Sequence, residues 1–256
     1  MYDIEMQKMS QEFFNCWQAA GLYLSDRAQE GKLSWIRAHP YPPFLEHLSF
    51  RLGNQLFFIR VEDIDGTVEG PGTLEGLNTV AEESGGHACI MPMRKKFAGE
   101  EWVPDTGGWG LIDASNGDPV DPFSLVTDEK IEMTPWELHD MAVQIVREYI
   151  EKKDFQLMSW QGTLDVDPSI WFTGESNGPE WVVVRATKYP EAHASLPENW
   201  KEIVQQCTSV SQTGYFASVA IASSEQKFES ENEEAVPLYR GASMYIQFPG
   251  LEGLEE

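Results

Sequence analysis

Two stretches of this chain carry the same landmarks at the same spacing, and that limits what it can fold into. Leu33–Val61 reads LSWIRAHPYPPFLEHLSFRLGNQLFFIRV, and Met158–Ala186 reads MSWQGTLDVDPSIWFTGESNGPEWVVVRA. Laid together without gaps, Ser34, Trp35, Pro43, Gly53 and Arg60 fall on Ser159, Trp160, Pro168, Gly178 and Arg185. Upstream of each stretch lies an apolar run with helical spacing behind a hydroxyl residue, Ser10 in one case and Thr134 in the other. A hydroxyl at that position caps the first turn by accepting from an otherwise orphaned amide. Pro135 suits the first helical position, and Glu137 completes a capping box with Thr134. The reading is of two related modules in tandem, residues 1–128 and 129–256. The alternative is that any two α/β segments share capped helices and tryptophan-bearing strands.

Periodicity gives both modules one order. In the first, a helix over 10–29 leads to a short strand at Leu33–Ala38. A proline-broken stretch, His39–Pro43, follows, where missing donors and restricted neighbours exclude helix and central strand. Strands at Leu48–Leu52 and Leu56–Glu62 flank a Gly53-Asn54 hairpin signal. Phe57, Phe58 and Ile59 form an unbroken apolar run, as in a strand covered on both faces. A helix starting at Thr73 and stopping at Gly85-Gly86 precedes strands at His87–Met93 and Trp109–Ala114, with Arg94–Gly108 as a long loop. The second module repeats this order: a helix over 134–152, strands at Phe155–Trp160, Ser169–Phe172 and Trp181–Thr187, a helix near 196–207 capped by Ser195 and Glu198, and strands at Tyr215–Ser223 and Leu238–Phe248. The tail GLEGLEE reads as frayed. The expected fold class is α/β of the α+β type: two α-β-β-β-α-β-β modules, each a mainly antiparallel sheet packed by helices.

Charge narrows the functions. The formal net charge is −24. It splits evenly, with 20 acids and 9 bases in residues 1–128 and 22 acids and 9 bases in residues 129–256. A field of that sign repels nucleic acid and anionic membrane and steers basic partners inward, or it serves solubility alone. No stretch approaches the length of an apolar membrane span. The first thirty residues lack the basic start and apolar run of a secretory signal. Cys16, Cys89 and Cys207 are odd in number and far apart, as expected of reduced, buried thiols in a cytoplasmic protein.

The element order resembles the core of the restriction-endonuclease-like metal-dependent nucleases. In that family an acid at the second strand and an (Asp/Glu)-x-Lys on the third bind a divalent cation and position water. Asp167-Pro168 and Lys188, in VVVRATK, stand where such residues would go. The residue two before Lys188 is Ala186, however, which would leave one carboxylate for a hard cation that takes several oxygen ligands. The resemblance therefore implies a degenerate, inactive hydrolase core. The order and the acidity also resemble type III secretion chaperones, small acidic proteins that bind partner segments along an antiparallel sheet. That resemblance of layout and charge implies a non-catalytic binding role.

Other candidates are thinner. His87-x-Cys89 places two metal-ligating types on one strand face, but zinc takes three or four ligands and the remaining histidines and cysteines have no matching spacing. A half-buried strand is the simpler reading, and no metal or cofactor is expected. GPGTLEG lacks the Gly-Lys-Ser/Thr end of a phosphate loop. Most of the nine tryptophans read as core, whereas Trp102, in an acidic loop, is the residue expected to touch a partner. Arg60 and Arg185 sit on apolar strands, where a buried guanidinium must be paired. Each is expected to meet an acid of its own module or, alternatively, to clamp a ligand. The sequence thus points to a soluble binding protein for a protein or peptide. The alternatives are the degenerate hydrolase and a small-molecule sensor with a cleft between the modules. The oligomeric state is left open.

Overall fold

The computed structural model describes residues 10–28, 33–36, 47–96, 101–164, 166–175, 178–226, 228 and 234–254. The prolines of His39–Pro43, and with them Pro43 as a landmark, lie outside the described residues. The chain divides into two compact units, Met1–Lys130 and Ile131–Glu256.

In the first unit, helix α1 (Gln11–Arg27) begins at Ser10, whose side chain accepts from the Phe13 amide at 3.1 Å. Strands β1 (Leu33–Trp35), β2 (Leu48–Leu52) and β3 (Gln55–Asp63) follow. Helix α2 (Leu74–Ser84) is capped by Thr73 and ended by Gly85. Gly85 takes the left-handed conformation, φ 59°, that a residue without Cβ adopts freely. Strands β4 (His87–Lys95), β5 (Trp102–Pro104), β6 (Leu111–Asp113) and β7 (Pro119–Val120) and the short helix α3 (Pro122–Leu125) complete it. The sheet runs β1-β2-β3-β4-β6-β7, with β5 also on β4. Among the described residues only the β3–β4 pair, which flanks the crossover helix α2, is parallel.

Phe13, Cys16, Trp17, Ala20 and Leu24 of α1 form one buried cluster with Phe50, Phe57, Ile59, Cys89, Met91 and Met93 of the sheet. Helix α2 packs on β3 and β4 and buries Leu77, Ala81 and Ser84. Phe57, Phe58 and Ile59 are all fully buried, as a strand with both faces covered requires.

The second unit opens with helix α4 (Pro135–Lys152), where Thr134 and Glu137 form the full capping box. Strands β8 (Gln156–Trp160), β9 (Ile170–Thr173) and β10 (Pro179–Lys188), helix α5 (Trp200–Thr208) and strands β11 (Gly214–Ser223), β12 (Met244–Gln247) and β13 (Glu252–Gly253) follow. The sheet order is β12-β11-β10-β9-β8, with β13 on one end of β11. Again, among the described residues, only the pair flanking the crossover helix, β10 with β11, is parallel. Val143, Val146 and Ile150 of α4 pack with Ile170, Phe172, Val182, Val184, Ala217, Val219 and Ile221. Ile203, Val204 and Cys207 of α5 pack with Trp181, Val183 and Phe216. This is the expected architecture: two α+β sheets, mostly antiparallel, each packed by helices.

Register relates the units more closely than order does. Trp35 faces Phe50, which faces Phe57. Trp160 faces Ile170, which faces Val182. The two rows are equivalent, and in both the arginine stands three residues further along the third strand. The register agrees with the ungapped alignment at the first and third strands and departs from it at the second. In register Phe50 corresponds to Ile170, because the link before β9 is shorter than that before β2 and the hairpin after it is longer. Gly53 and Gly178 are therefore not counterparts. Ser49 and Ser169 are, and both are fully buried.

Three local expectations fail. Part of the loop Arg94–Gly108 forms β5, because Arg94 and Lys95 pair with Val103 and Trp102. Ser195 does not cap α5, whose N-cap position is Asn199 and which has no side-chain cap. The tail is not frayed at 252–254, since β13 pairs with Tyr215 and Phe216 and the Leu254 amide donates to the Gly214 carbonyl.

Candidate functional site

The groups that sequence nominated for chemistry are held by neighbours. Arg185, on β10, donates to both Asp167 oxygens at 3.0 and 2.5 Å and to the Val184 carbonyl at 2.7 Å. The Asp167 side chain is 8% exposed, so its carboxylate is closed in by the guanidinium. Lys188 lies 3.4 Å from Glu132 with both side chains half exposed. Asp167 is thus the anchor of Arg185, and Lys188 forms a surface pair of a kind worth little.

Arg60, the counterpart of Arg185, donates to Glu62 at 2.7 Å and to the Pro71 and Gly72 carbonyls ahead of α2. Each arginine meets an acid of its own unit, as a buried guanidinium requires. The acids differ in kind: Glu62 is two residues along the same strand, whereas Asp167 comes from the link before β9.

Trp102 is placed differently from the loop position expected of it. It is 5% exposed, lies on β5 and belongs to the α1-side core. Lys95 sits 5.4 Å from its ring centroid. A strand pairing that brings an indole over the core buries more apolar area than a loop would.

His87 and Cys89 share a face of β4, but that face is the core. His87 stacks on Phe57 at 5.0 Å and shares a 3.0 Å hydrogen bond with Gln55. Burial pushes the Cys89 thiol up to about 12, with Asp113 adding to the effect. Among the described residues no group of three His, Cys, Asp or Glu side chains is placed to hold a metal ion.

Each unit has a surface concavity. In the first, His87, Asp113, Asn116, Asp118, Asp121 and Ser124 line about 230 Å3. The Ser115 hydroxyl and amide and the Asn116 amide bond Asp113 and hold its carboxyl below the usual range, and Asp121 caps α3. These acids organise turns.

The groove of the second unit is larger, about 410 Å3. One wall is the segment His193–Leu196, the other is Glu252–Leu254, and Phe216 forms the floor. The first wall is fixed by the Ala194 amide, which donates to Ser218 Oγ at 2.7 Å. The second is fixed by the β11–β13 pairing. His193 Nε2 and Glu252 Oε1 stand 2.8 Å apart, with both side chains about half exposed. Leu196 is 38% exposed. The groove is apolar below and carries an acid–histidine pair above. Sequence reasoning passed over it because its walls lie 59 positions apart and one of them is the tail. The one residue of its lining that sequence singled out, Ser195, was read as a helix cap.

Leu254 lines the groove, and a family match ends at the same residue. Residues 136–254 match the model of a family described as a domain of unknown function (DUF8840). That span runs from the first turn of α4 to the end of β13, covering nearly all of the second unit and both walls of the groove. No curated protein and no solved structure matches the chain.

Proposed function

We infer that this is a non-catalytic binding protein, soluble and cytoplasmic, whose ligand is a protein or peptide. The groove walled by His193–Leu196 and Glu252–Leu254 carries this reading. It offers apolar side chains, two strips of main chain and Glu252, whose hydrogen bond to the half-exposed His193 a ligand cation would replace, a combination that suits an apolar anchor side chain flanked by a cation. Charge supports the cation, since residues 131–256 hold 21 acids against 8 bases and such a field draws basic segments in. The nuclease-type alternative loses its first carboxylate to Arg185. The three cysteines are buried, and burial raises their thiols to about 11 or 12, far from a nucleophile's range. Among the described residues no helix is long and apolar enough to cross a membrane.

The test is fluorescence anisotropy with a panel of labelled peptides, each with one Leu or Phe anchor and from none to three flanking lysines. The expected result is saturable binding that strengthens with lysine number and weakens with salt. Leu196→Asp should weaken it about tenfold, the cost of putting a charge where an apolar anchor seats. Absence of binding across the panel, or equal binding by that variant, would sink the proposal.

A further inference from the structure

The other deeply placed arginines of the second unit each meet a carboxylate, Arg185 with Asp167 and Arg240 with Glu137. Arg147 does not. It lies on α4 with its guanidinium carbon 4.5 Å from the ring centroid of Trp160, the last residue of β8. Its Nε and Nη1 are buried and meet no acceptor, and the same holds for Trp160 Nε1 and for Gln144 Nε2, one turn before Arg147. Four buried nitrogens that act as donors, on three side chains where α4 packs on β8, lack an oxygen to receive them. A buried donor without a partner costs on the order of 1–3 kcal/mol, and more when charged. All three residues are only partly buried as whole side chains, so the cluster reaches the surface while these atoms lie beneath it. Two acids share this helix face: Glu151, exposed and one turn beyond Arg147, and Asp140, two turns before it, about 10 Å along the axis. Its Oδ1 lies 2.8 Å from where a Cβ on Gly162 would be. Counted from the two helix caps, Arg147 takes the position of Tyr23 in the first unit, an uncharged residue.

We propose that Arg147, Gln144 and Trp160 form a binding site for a small oxyanion, a carboxylate. The unmet atoms of these three side chains are all donors, although Gln144 also carries an amide oxygen, and guanidinium with indole N–H is a strong pairing for a carboxylate oxygen. The acidity of this unit selects a singly charged group over a phosphate, because the surrounding field penalises each added negative charge. The carboxylate comes either from a free small acid or from the end of a peptide. This site is separate from the groove and does not depend on the function inferred for it.

Thermal unfolding and calorimetric titration of the full chain test the proposal, with sodium acetate against sodium chloride at equal ionic strength. Acetate should raise the unfolding midpoint saturably and chloride should not. Arg147→Met, which keeps an unbranched apolar stem and loses the guanidinium, should weaken acetate at least about tenfold. Trp160→Phe, which keeps a ring and loses the N–H, should weaken it about threefold, the worth of one hydrogen bond. Should Arg147→Met fail to fold, Trp160→Phe and Gln144→Leu carry the same comparison. A short peptide with a free C-terminus, set against its C-terminal amide, separates the two sources. Tighter binding by the free acid points to a peptide end, and equal weakness of both beside acetate points to a small acid. Identical curves in acetate and chloride overturn the site, as does an acetate shift that survives Arg147→Met. A larger shift with phosphate than with acetate overturns the carboxylate assignment.

Discussion

Arg240 holds Glu137 through two parallel hydrogen bonds of 2.9 Å, one from Nε and one from Nη2. Both side chains are almost fully buried, at 2% and 6% exposed. The same Glu137 carboxylate accepts from the Thr134 amide at 2.9 Å in the capping box. One acid therefore closes the start of α4 and ties it to a segment more than a hundred residues later. That segment is fastened again where the Met133 amide meets the Leu238 carbonyl and the Arg240 amide meets the Ile131 carbonyl. Removing one partner leaves the other charged and buried, which costs about 3–5 kcal/mol. Arg240→Ala and Glu137→Ala should each lower stability by that order in urea unfolding followed by circular dichroism. The double variant should cost clearly less than the two added together. Additive losses would show that the pair is not coupled.

Gly214 opens β11 under the Trp181 indole. A Cβ there would fall 2.1 Å from Trp181 Cζ2, and Trp181 is itself fixed, with its Nε1 donating to the Ser211 carbonyl at 3.1 Å. Gly214→Ala should therefore destabilise by about 1–3 kcal/mol, the usual cost of overpacking, and should shift the tryptophan emission. Gly253→Ala is the control, since a Cβ there meets nothing within 4 Å. Equal urea midpoints for the two variants would refute the clash.

Alkaline pH should unfold this protein through its thiols. Burial lifts Cys16 and Cys89 from 9.0 to about 12 and Cys207 to about 11, with nearby acids adding to it. Burial, then the Glu180 hydrogen bond, lifts Tyr215 from 10.0 to about 12. Between those limits the unfolded chain has lost protons that the folded chain keeps, so stability falls as pH rises. The prediction is a stability flat in these groups below pH 9 and declining through pH 9–12. Cys89→Ala should flatten that slope whatever it does to the absolute value. An unchanged slope would remove Cys89 from the account.

Helix caps, the apolar run of β3, the element order and the pairing of Arg60 and Arg185 were legible in the sequence, because each rests on contacts within a few residues or on the plain rule that a buried charge needs a partner. The equivalence of Ser49 with Ser169 was not. Two compensating length changes around the second strand keep its neighbours in step and hide the shift from any ungapped comparison. Trp102 misled for another reason. A three-residue strand has too little period to read, and its acidic neighbours, Glu100 and Glu101, suggested solvent. The groove escaped because main chain builds its walls, and Glu252 looks like any acid of a charged tail until β11 pairs with it.

Asp167 and Glu62 answer equivalent arginines from unlike surroundings, and that difference can be measured. Asp167 is 8% exposed and grips Arg185 with both oxygens, whereas Glu62 is 41% exposed and meets Arg60 with one. Water can replace Glu62 more readily than Asp167, and Arg60 keeps the Pro71 and Gly72 carbonyls besides. Asp167→Ala should therefore cost about 2–3 kcal/mol, in the range for a hydrogen-bonded charge left without its partner. Glu62→Ala should cost under about 1 kcal/mol, as for an exposed pair. The same Asp167→Ala protein also tests the nuclease-type reading. If Asp167 serves only Arg185, magnesium and manganese titrate the variant and the parent chain alike in calorimetry. A divalent-ion heat that disappears with Asp167 would mean that the carboxylate leaves Arg185 to hold a cation.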